Sequence, residues 1–220
     1  MINIAIDGPA GAGKSTIAKA VAAKKGFIYV DTGAMYRSMA LSCLNNNIDL
    51  DDEEAVVDNC NKNNIELTYR DGRQIVILNG EDVTTQIRKE EVGKSTSKIA
   101  VYGGVREKLT KMQQEIASKN NVVMDGRDIG SAVLPNADLK FFLTASSKIR
   151  AKRRYDELVA KGESADIDVI EKDIIERDYN DSHREISPLT QAEDAILIDS
   201  SYMSIEEVVN DILDKIENIK

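Results

Sequence analysis

The apolar positions near the start of the chain follow a strand pattern and then a helix pattern. Residues 2–6 are mostly apolar, as in a parallel strand that is buried on both faces. Ile17 and Val21 then recur at helical spacing, and a second apolar run at 27–30 precedes a second helical segment at 34–44. This alternation of strand and helix predicts an α/β fold with a parallel sheet.

Later apolar runs complete the predicted sheet. They lie at 122–124, 139–143 and 195–198, which brings the expected number of parallel strands to five. Helical patterns separate and follow these runs, at 90–119 with a break near Gly103-Gly104, at 147–161, at 168–182 and at 204–218.

The middle of the chain has a different pattern. Two short runs, 65–69 and 74–78, flank Asp71-Gly72, and Asn79-Gly80 follows them. Asp-Gly and Asn-Gly are typical hairpin turns because both residues of each pair tolerate a positive φ. We therefore predict a small antiparallel β insertion at 61–90.

The remaining segments, 1–60 and 91–220, are predicted to form the core domain, and about 154–166 a short lid. The chain has 220 residues, which suits one domain with an insertion, and nothing in it demands an oligomeric partner, so we expect a monomer. Its two cysteines, Cys43 and Cys60, are not at metal-ligand spacing, and we expect both to be reduced thiols.

The charge of the chain limits its partners. The formal net charge of −9 argues against non-specific binding to DNA or RNA, which requires a positive surface. The first residues contain no basic segment, and no apolar run approaches the roughly 18 residues that a membrane span needs. We expect a cytoplasmic protein that binds neither nucleic acid nor membrane.

The turn after the first strand matches the phosphate-binding pattern GxxxxGK[ST]. Its residues are Gly8, Pro9, Ala10, Gly11, Ala12, Gly13, Lys14, Ser15 and Thr16. Backbone N–H groups of such a turn converge on phosphate oxygens at the positive end of a helix. Lys14 would reach the β and γ phosphates of ATP, and the Ser15 hydroxyl would coordinate Mg²⁺. The pattern favours the fold of a P-loop NTPase.

A phosphate-binding turn alone does not identify the reaction. A GTPase would need an N-K-x-D sequence, and the only Asn-Lys pair, Asn61-Lys62, is followed by two asparagines in the predicted insertion. We found no second motor domain that would suggest an ATPase motor. A small-molecule kinase is the interpretation that this leaves.

Arginines supply the charge that a second anionic substrate needs. Arg150, Arg153 and Arg154 have the spacing of one helical face, and so do Arg177, Asp181 and Arg184. Other arginines are predicted on two further helices or after a strand, namely Arg37, Arg106 and Arg127. The strand at 122–124 is followed by Asp125, a carboxylate placed as one that supports Mg²⁺ through water.

Six segments together resemble the bacterial cytidylate kinases, which have the nucleoside monophosphate kinase fold. They are IDGPAGAGKST (6–16), DTGAMYR (31–37), NGEDVT (79–84), VREKL (105–109), DGRDIG (125–130) and ERDYNDSHREISPL (176–189). These segments span almost the whole chain. Within the family, serine can stand in place of Thr32 and isoleucine in place of Met35.

The resemblance implies a role for each matching position. Thr32, Tyr36 and Arg37 would hold the acceptor phosphate and pack on its nucleotide. Ser97, Arg106 and Asp128 would recognise cytosine, since a carboxylate accepts from its amine and an arginine donates to its ring acceptors. The resemblance further implies a phosphate clamp at Arg127 and Arg184 and ribose contacts at Arg177 and Asp181. It also implies that Arg150, Arg153 and Arg154 lead into the lid, which closes over the donor phosphates.

The implied activity is transfer of the γ-phosphoryl group of ATP·Mg²⁺ directly to CMP or dCMP. Lys14, Arg127, Arg150, Arg153 and Arg154 would neutralise charge in the transition state. Two alternatives stay open at this point. One is a P-loop kinase for another small acceptor, such as UMP or AMP. The other is a non-catalytic ATP-binding switch.

Overall fold

The computed structural model of the protein describes residues 1–70 and 73–218. The chain divides into two compact units. The first consists of Met1–Tyr29 together with Asn120–Lys220, and the second is Val30–Lys119.

The secondary structure of the described residues alternates as the sequence predicts. The strands are β1 (Asn3–Asp7), β2 (Ile28–Asp31), β3 (Ile65–Arg70), β4 (Arg73–Leu78), β5 (Glu81–Asp82), β6 (Val122–Asp125), β7 (Leu139–Thr144) and β8 (Ile196–Asp199). The helices are α1 (Lys14–Lys25), α2 (Thr32–Asn45), α3 (Glu53–Lys62), α4 (Glu90–Ile99), α5 (Gly103–Lys119), α6 (Ser147–Ala160), α7 (Ile167–His183) and α8 (Ile205–Glu217). A 3-10 turn at Gln86–Arg88 and a π-helical turn at Ile129–Val133 complete the set.

Five strands form the larger sheet, in the order β2-β6-β1-β7-β8. β1 is paired in parallel with β6 on one side and with β7 on the other, and β7 is paired in parallel with β8. The carboxyl ends of β1 and β6 therefore lie side by side, with Ile6 opposite Asp125. This confirms the predicted α/β fold with a five-stranded parallel sheet flanked by helices.

The core of the first unit is built on β1. Ile4 and Ile6 are completely buried, and α1 contributes Ile17 and Val21 to the same cluster. α8 packs Ile212 into it as well. Complete burial of a strand explains why residues 2–6 contain so few polar side chains.

The second unit contains the smaller sheet, in the order β3-β4-β5 with antiparallel pairs. Asn79 and Gly80 have φ values of 52° and 88°, which confirms the predicted Asn-Gly turn. The predicted Asp71-Gly72 turn lies outside the described residues. The antiparallel sheet lies within the predicted insertion, 61–90, while the division of the chain into core, insertion and lid stays a prediction.

Two helix boundaries test predictions made from the sequence. The predicted break at Gly103-Gly104 is confirmed, since α4 ends at Ile99 and α5 begins at Gly103. The single helical face predicted for Arg177, Asp181 and Arg184 is wrong. α7 ends at His183, and Arg184 has φ −65° and ψ 145°, so its side chain leaves from extended backbone.

Several simpler features concern residues outside the predicted site. Cys43 and Cys60 are both free and buried. The lone histidine, His183, is exposed and stacks on Tyr179 with ring centroids 4.0 Å apart. Among the described helices, none is both long and apolar enough to cross a membrane.

Candidate functional site

The phosphate-binding turn has backbone angles that only glycine adopts easily. Gly8, Gly11 and Gly13 have φ values of 143°, 75° and 90°. At Gly8 a Cβ atom would lie 2.0 Å from the backbone oxygen of Leu143 in β7. These angles let the turn lead from β1 into α1, which no side chain caps at Gly13. The first N–H groups of a helix have no partner within the helix and can bind an anion.

Lys14 is buried at the start of α1, with 6% of its surface exposed. Its Nζ donates to the backbone oxygen of Pro9 at 2.7 Å. Burial and the nearby Arg127 guanidinium hold the pKa of Lys14 well below its ordinary value, and carboxylates oppose this shift at Asp125, Asp7 and Asp181. An anionic ligand beside this ammonium would compensate its charge, so the turn is suited to binding phosphate.

Beside the turn, two hydroxyl groups donate to the same carboxylate. The Ser15 hydroxyl donates to one oxygen of Asp125 at 2.8 Å, and the Tyr29 hydroxyl donates to the other at 2.8 Å. Thr16, the last residue of the motif, is exposed on α1. The sequence predicted the proximity of Ser15 and Asp125, but it gave no signal for Tyr29.

Two ion pairs fix arginines near the carboxyl end of β6. Arg127 Nε donates to Asp181 at 2.8 Å, and Arg184 lies 3.3 Å from Asp128, with both side chains of the second pair almost completely buried. Burial raises the pKa of Asp181, but the guanidinium groups of Arg127, Arg177 and Arg184 outweigh it and hold that pKa below its ordinary value. The structure thus assembles one connected group of charges here, although Arg184 is not on the helix.

Arg150 contacts three protein groups around the phosphate-binding turn. Its Nε donates to the Ala145 oxygen at 2.8 Å, one terminal nitrogen donates to the Ala10 oxygen at 2.8 Å, and the other lies 2.6 Å from Asp178. A Cβ atom at Gly11 would lie 3.3 Å from the Arg150 Cβ, so glycine permits this close packing. Arg150 therefore braces the phosphate-binding turn against α7.

Arg153 and Arg154 have other partners, although they belong to the same helix, α6. Arg153 donates to the backbone oxygen of Ser200 at 2.6 Å. Arg154 is half exposed and pairs with Glu157 at 3.0 Å. The three arginines of α6 thus contact different protein groups, and their predicted role at the lid stays a prediction.

In the second unit a buried carboxylate organises the residues around the start of α2. Asp31 caps this helix by accepting from the Ala34 N–H at 2.8 Å, and it pairs with Arg37 at 3.3 Å and Arg88 at 2.8 Å. Burial would raise the pKa of Asp31, but the two guanidinium groups outweigh it and hold that pKa below its ordinary value. Arg37 was predicted as a site residue and Arg88 was not.

The predicted base-reading and phosphate-contacting residues of this unit lie on three helices. The Arg106 guanidinium lies 5.7 Å from the ring centroid of Tyr36 and donates to the Ala100 oxygen at 3.1 Å. Thr32 is buried at the start of α2, whereas Ser97 is exposed on α4. The structure thus brings Tyr36 and Arg106 together.

Comparison with known proteins identifies the family. The family model described as cytidylate kinase matches residues 4–218. A cytidylate kinase from Caldicellulosiruptor bescii is 54% identical over 213 residues, covering 97% of this chain and 94% of the relative. A cytidylate kinase from Ligilactobacillus salivarius is 51% identical over 216 residues, covering 98% and 96%. A solved shikimate kinase from Bacteroides thetaiotaomicron shares the fold, with a TM-score of 0.50, 16% identity and 98% of each chain covered.

The Asp31 cluster generates a prediction about stability and pH. A carboxylate whose pKa is lowered on folding stabilises the protein above its unfolded pKa, and this contribution disappears as the pH falls through the folded pKa. Asp31→Asn should therefore lower the free energy of unfolding by roughly 2 kcal/mol at pH 7, the order expected for hydrogen bonds to a charged group. The difference from the wild-type protein should shrink below pH 4.

Urea unfolding at pH 7, 5 and 3.5 measures this difference. The matched control is Asp58→Asn, which removes an exposed partner of Lys62 and should change the free energy of unfolding by less than about 0.5 kcal/mol. A deficit in Asp31→Asn that is the same at all three pH values would contradict the assignment.

Proposed function

The chain belongs to the cytidylate kinase family, and we propose that it transfers the γ-phosphoryl group of ATP to CMP or dCMP, yielding ADP and CDP or dCDP. The match to cytidylate kinases over residues 4–218 carries this proposal. The buried Lys14 in its phosphate-binding turn supports it, because a buried ammonium group at the start of a helix is suited to binding phosphate. Such a reaction belongs in the cytoplasm, where ATP and free nucleotides are available.

The first unit supplies the groups for the donor. The N–H groups of the glycine-rich turn would bind the ATP phosphates, and the Lys14 ammonium would neutralise charge on the β and γ phosphates. In direct in-line transfer an oxygen of the acceptor phosphate attacks the γ-phosphorus while the bond to the ADP oxygen breaks. The acceptor phosphate is already an anion, so the step needs no general base.

The residues beside the turn fit a magnesium ion. Ser15 and Asp125 offer a hydroxyl and a carboxylate oxygen, the ligand type that Mg²⁺ prefers, and the two groups are 2.8 Å apart. Ser15 would hold the ion directly and Asp125 through water. The bound ion would neutralise negative charge on the phosphates. Among the described residues, no group of three or more His, Cys, Asp or Glu side chains could hold a metal ion by itself.

The second unit supplies groups for the acceptor phosphate. Asp31 pairs with the guanidinium groups of Arg37 and Arg88 and so places two cations, each with several N–H groups, near the start of α2. A phosphate is a good acceptor for these donors. We propose Arg88 as a phosphate-binding residue in addition to Arg37, with Thr32 and Tyr36 as neighbouring contacts.

Recognition of cytosine is proposed for Ser97, Arg106 and Asp128. A carboxylate can accept from the exocyclic amine of cytosine, while uracil presents an oxygen at that position. A site whose groups match the donors and acceptors of cytosine discriminates strongly against uracil, because uracil would leave polar groups of the site unpaired. Arg177 and Asp181 are proposed to contact the ribose. Arg127 and Arg184 are proposed to clamp the phosphates.

The acceptor range is the first test of the proposal. In a coupled assay of ADP release with ATP·Mg²⁺, CMP and dCMP should give rapid turnover, and UMP, AMP and GMP should give slow turnover. Comparable rates with AMP would favour a kinase for another acceptor. ADP release that does not depend on any acceptor would favour an ATP-binding switch.

Lys14→Ala should reduce kcat at least about a hundredfold, because it removes a cation from the transition state. The fold should persist, which circular dichroism and thermal unfolding can check. Lys24→Ala is the matched control, since Lys24 is exposed in the last turn of the same helix. Normal turnover in Lys14→Ala would refute the proposed role of the turn.

Arg88→Gln should raise the KM for CMP about tenfold, because a charge-assisted hydrogen bond to the acceptor phosphate is lost. The KM for ATP should change less than about twofold, since the donor phosphates do not depend on this contact. Arg73→Gln serves as the control, because Arg73 is an exposed residue of β4. An equal rise in both KM values would indicate that Arg88 acts only on the fold.

A further inference from the structure

Asp7 is a buried carboxylate to which the proposed reaction assigns no role. It ends β1, directly before the phosphate-binding turn, and only 5% of its surface is exposed. Its two oxygens accept from the backbone N–H groups of Ile129 and Gly130, at 2.8 Å and 2.7 Å. The carboxylate thus ties the end of β1 to a loop more than 120 residues later in the chain.

The loop that Asp7 holds contains Asp128. Ile129 and Gly130 follow Asp128 immediately and begin the π-helical turn. Asp128 has φ −146° and ψ 27°, outside the regular helix and strand regions, so its backbone needs support from its surroundings. Arg184 contacts the Asp128 carboxylate at 3.3 Å, and Asp7 fixes the backbone that follows it.

The fit around this contact is close. A Cβ atom at Gly130 would lie 3.4 Å from an Asp7 oxygen and 3.0 Å from the Lys140 side chain. Glycine therefore lets the loop approach β1 and β7 closely enough for both hydrogen bonds to form. A carboxylate suits this position because it can accept two N–H bonds, one on each oxygen.

We propose that Asp7 is a positioning residue for base recognition: by holding the N–H groups of Ile129 and Gly130, it sets the place and direction of the Asp128 carboxylate. This inference rests on the proposed function, in which Asp128 accepts from the cytosine amine. Asp7 itself touches no substrate. Its effect appears as selectivity between acceptor bases.

Asp7→Asn tests the inference. The amide has one oxygen and a pair of donors, so one of the two N–H groups would lose its acceptor and face another donor. The ratio of kcat/KM for CMP to kcat/KM for UMP should fall about tenfold, the effect expected when a buried donor is left unsatisfied. The KM for ATP should change less than about twofold. Amides 129 and 130 should also exchange hydrogen faster than in the wild-type protein.

Asp138→Asn is the matched control. Asp138 is exposed, and its carboxylate likewise accepts from a backbone N–H of β1, that of Asn3 at 2.7 Å, at the other end of the strand. This control should keep the wild-type preference for CMP. Asp7→Ser, which removes the buried charge and keeps one acceptor, is measured in parallel in case Asp7→Asn does not fold.

Asp128→Ala separates failure of the inference from failure of the proposed function. If Asp128→Ala relaxes the preference for CMP and the folded Asp7 variants keep it, the inference is overturned and base recognition by Asp128 stands. An equal loss of activity with CMP and UMP in the Asp7 variants also overturns it. If Asp128→Ala itself keeps the preference, base recognition by Asp128 fails, and the inference fails with it.

Discussion

The burial of positive charge next to carboxylates is the constraint on which both units of this protein depend. An arginine taken out of water is costly unless a carboxylate pairs with it. The structure supplies a carboxylate for two almost completely buried guanidinium groups in the first unit, through Arg150–Asp178 and Arg184–Asp128. Lys14 is different, because its hydrogen bond goes to the Pro9 carbonyl instead of a carboxylate. The burial that lowers its pKa prepares this position for an anion from solution.

Local patterns in the sequence predicted the elements that depend on local physics. Complete burial of Ile4 and Ile6 requires an apolar run, and the run is visible without any structure. The helical face expected for Arg184 was wrong because α7 stops at His183. The helical pattern predicted at 168–182 already ended before Arg184, and Pro188 was a further signal, since proline is common shortly after a helix ends.

The partners of the site residues could not be predicted in the same way. Arg88 meets Asp31 across 57 positions of sequence, and Tyr29 meets Asp125 across 96. Nothing in the immediate sequence of Arg88 distinguishes it from a solvated surface arginine, because the contact depends on where its 3-10 turn lies in the second unit. Motifs identify the residue types that phosphate chemistry needs, whereas the tertiary fold decides which carboxylate orients each arginine.

The contrast between Asp7 and two other carboxylates, Asp31 and Asp181, follows from what each one binds. Asp31 and Asp181 pair with arginines, and those cations hold their pKa values below the ordinary range despite burial. For Asp7 burial dominates over the two backbone N–H bonds, and its pKa is raised to about 6. At neutral pH Asp7 is still mostly ionised, so both oxygens can accept. Burial makes it costly to ionise a carboxyl group at this position, and the loop that Asp7 holds is the simplest explanation for its presence. A neutral side chain could not accept from both N–H groups equally well.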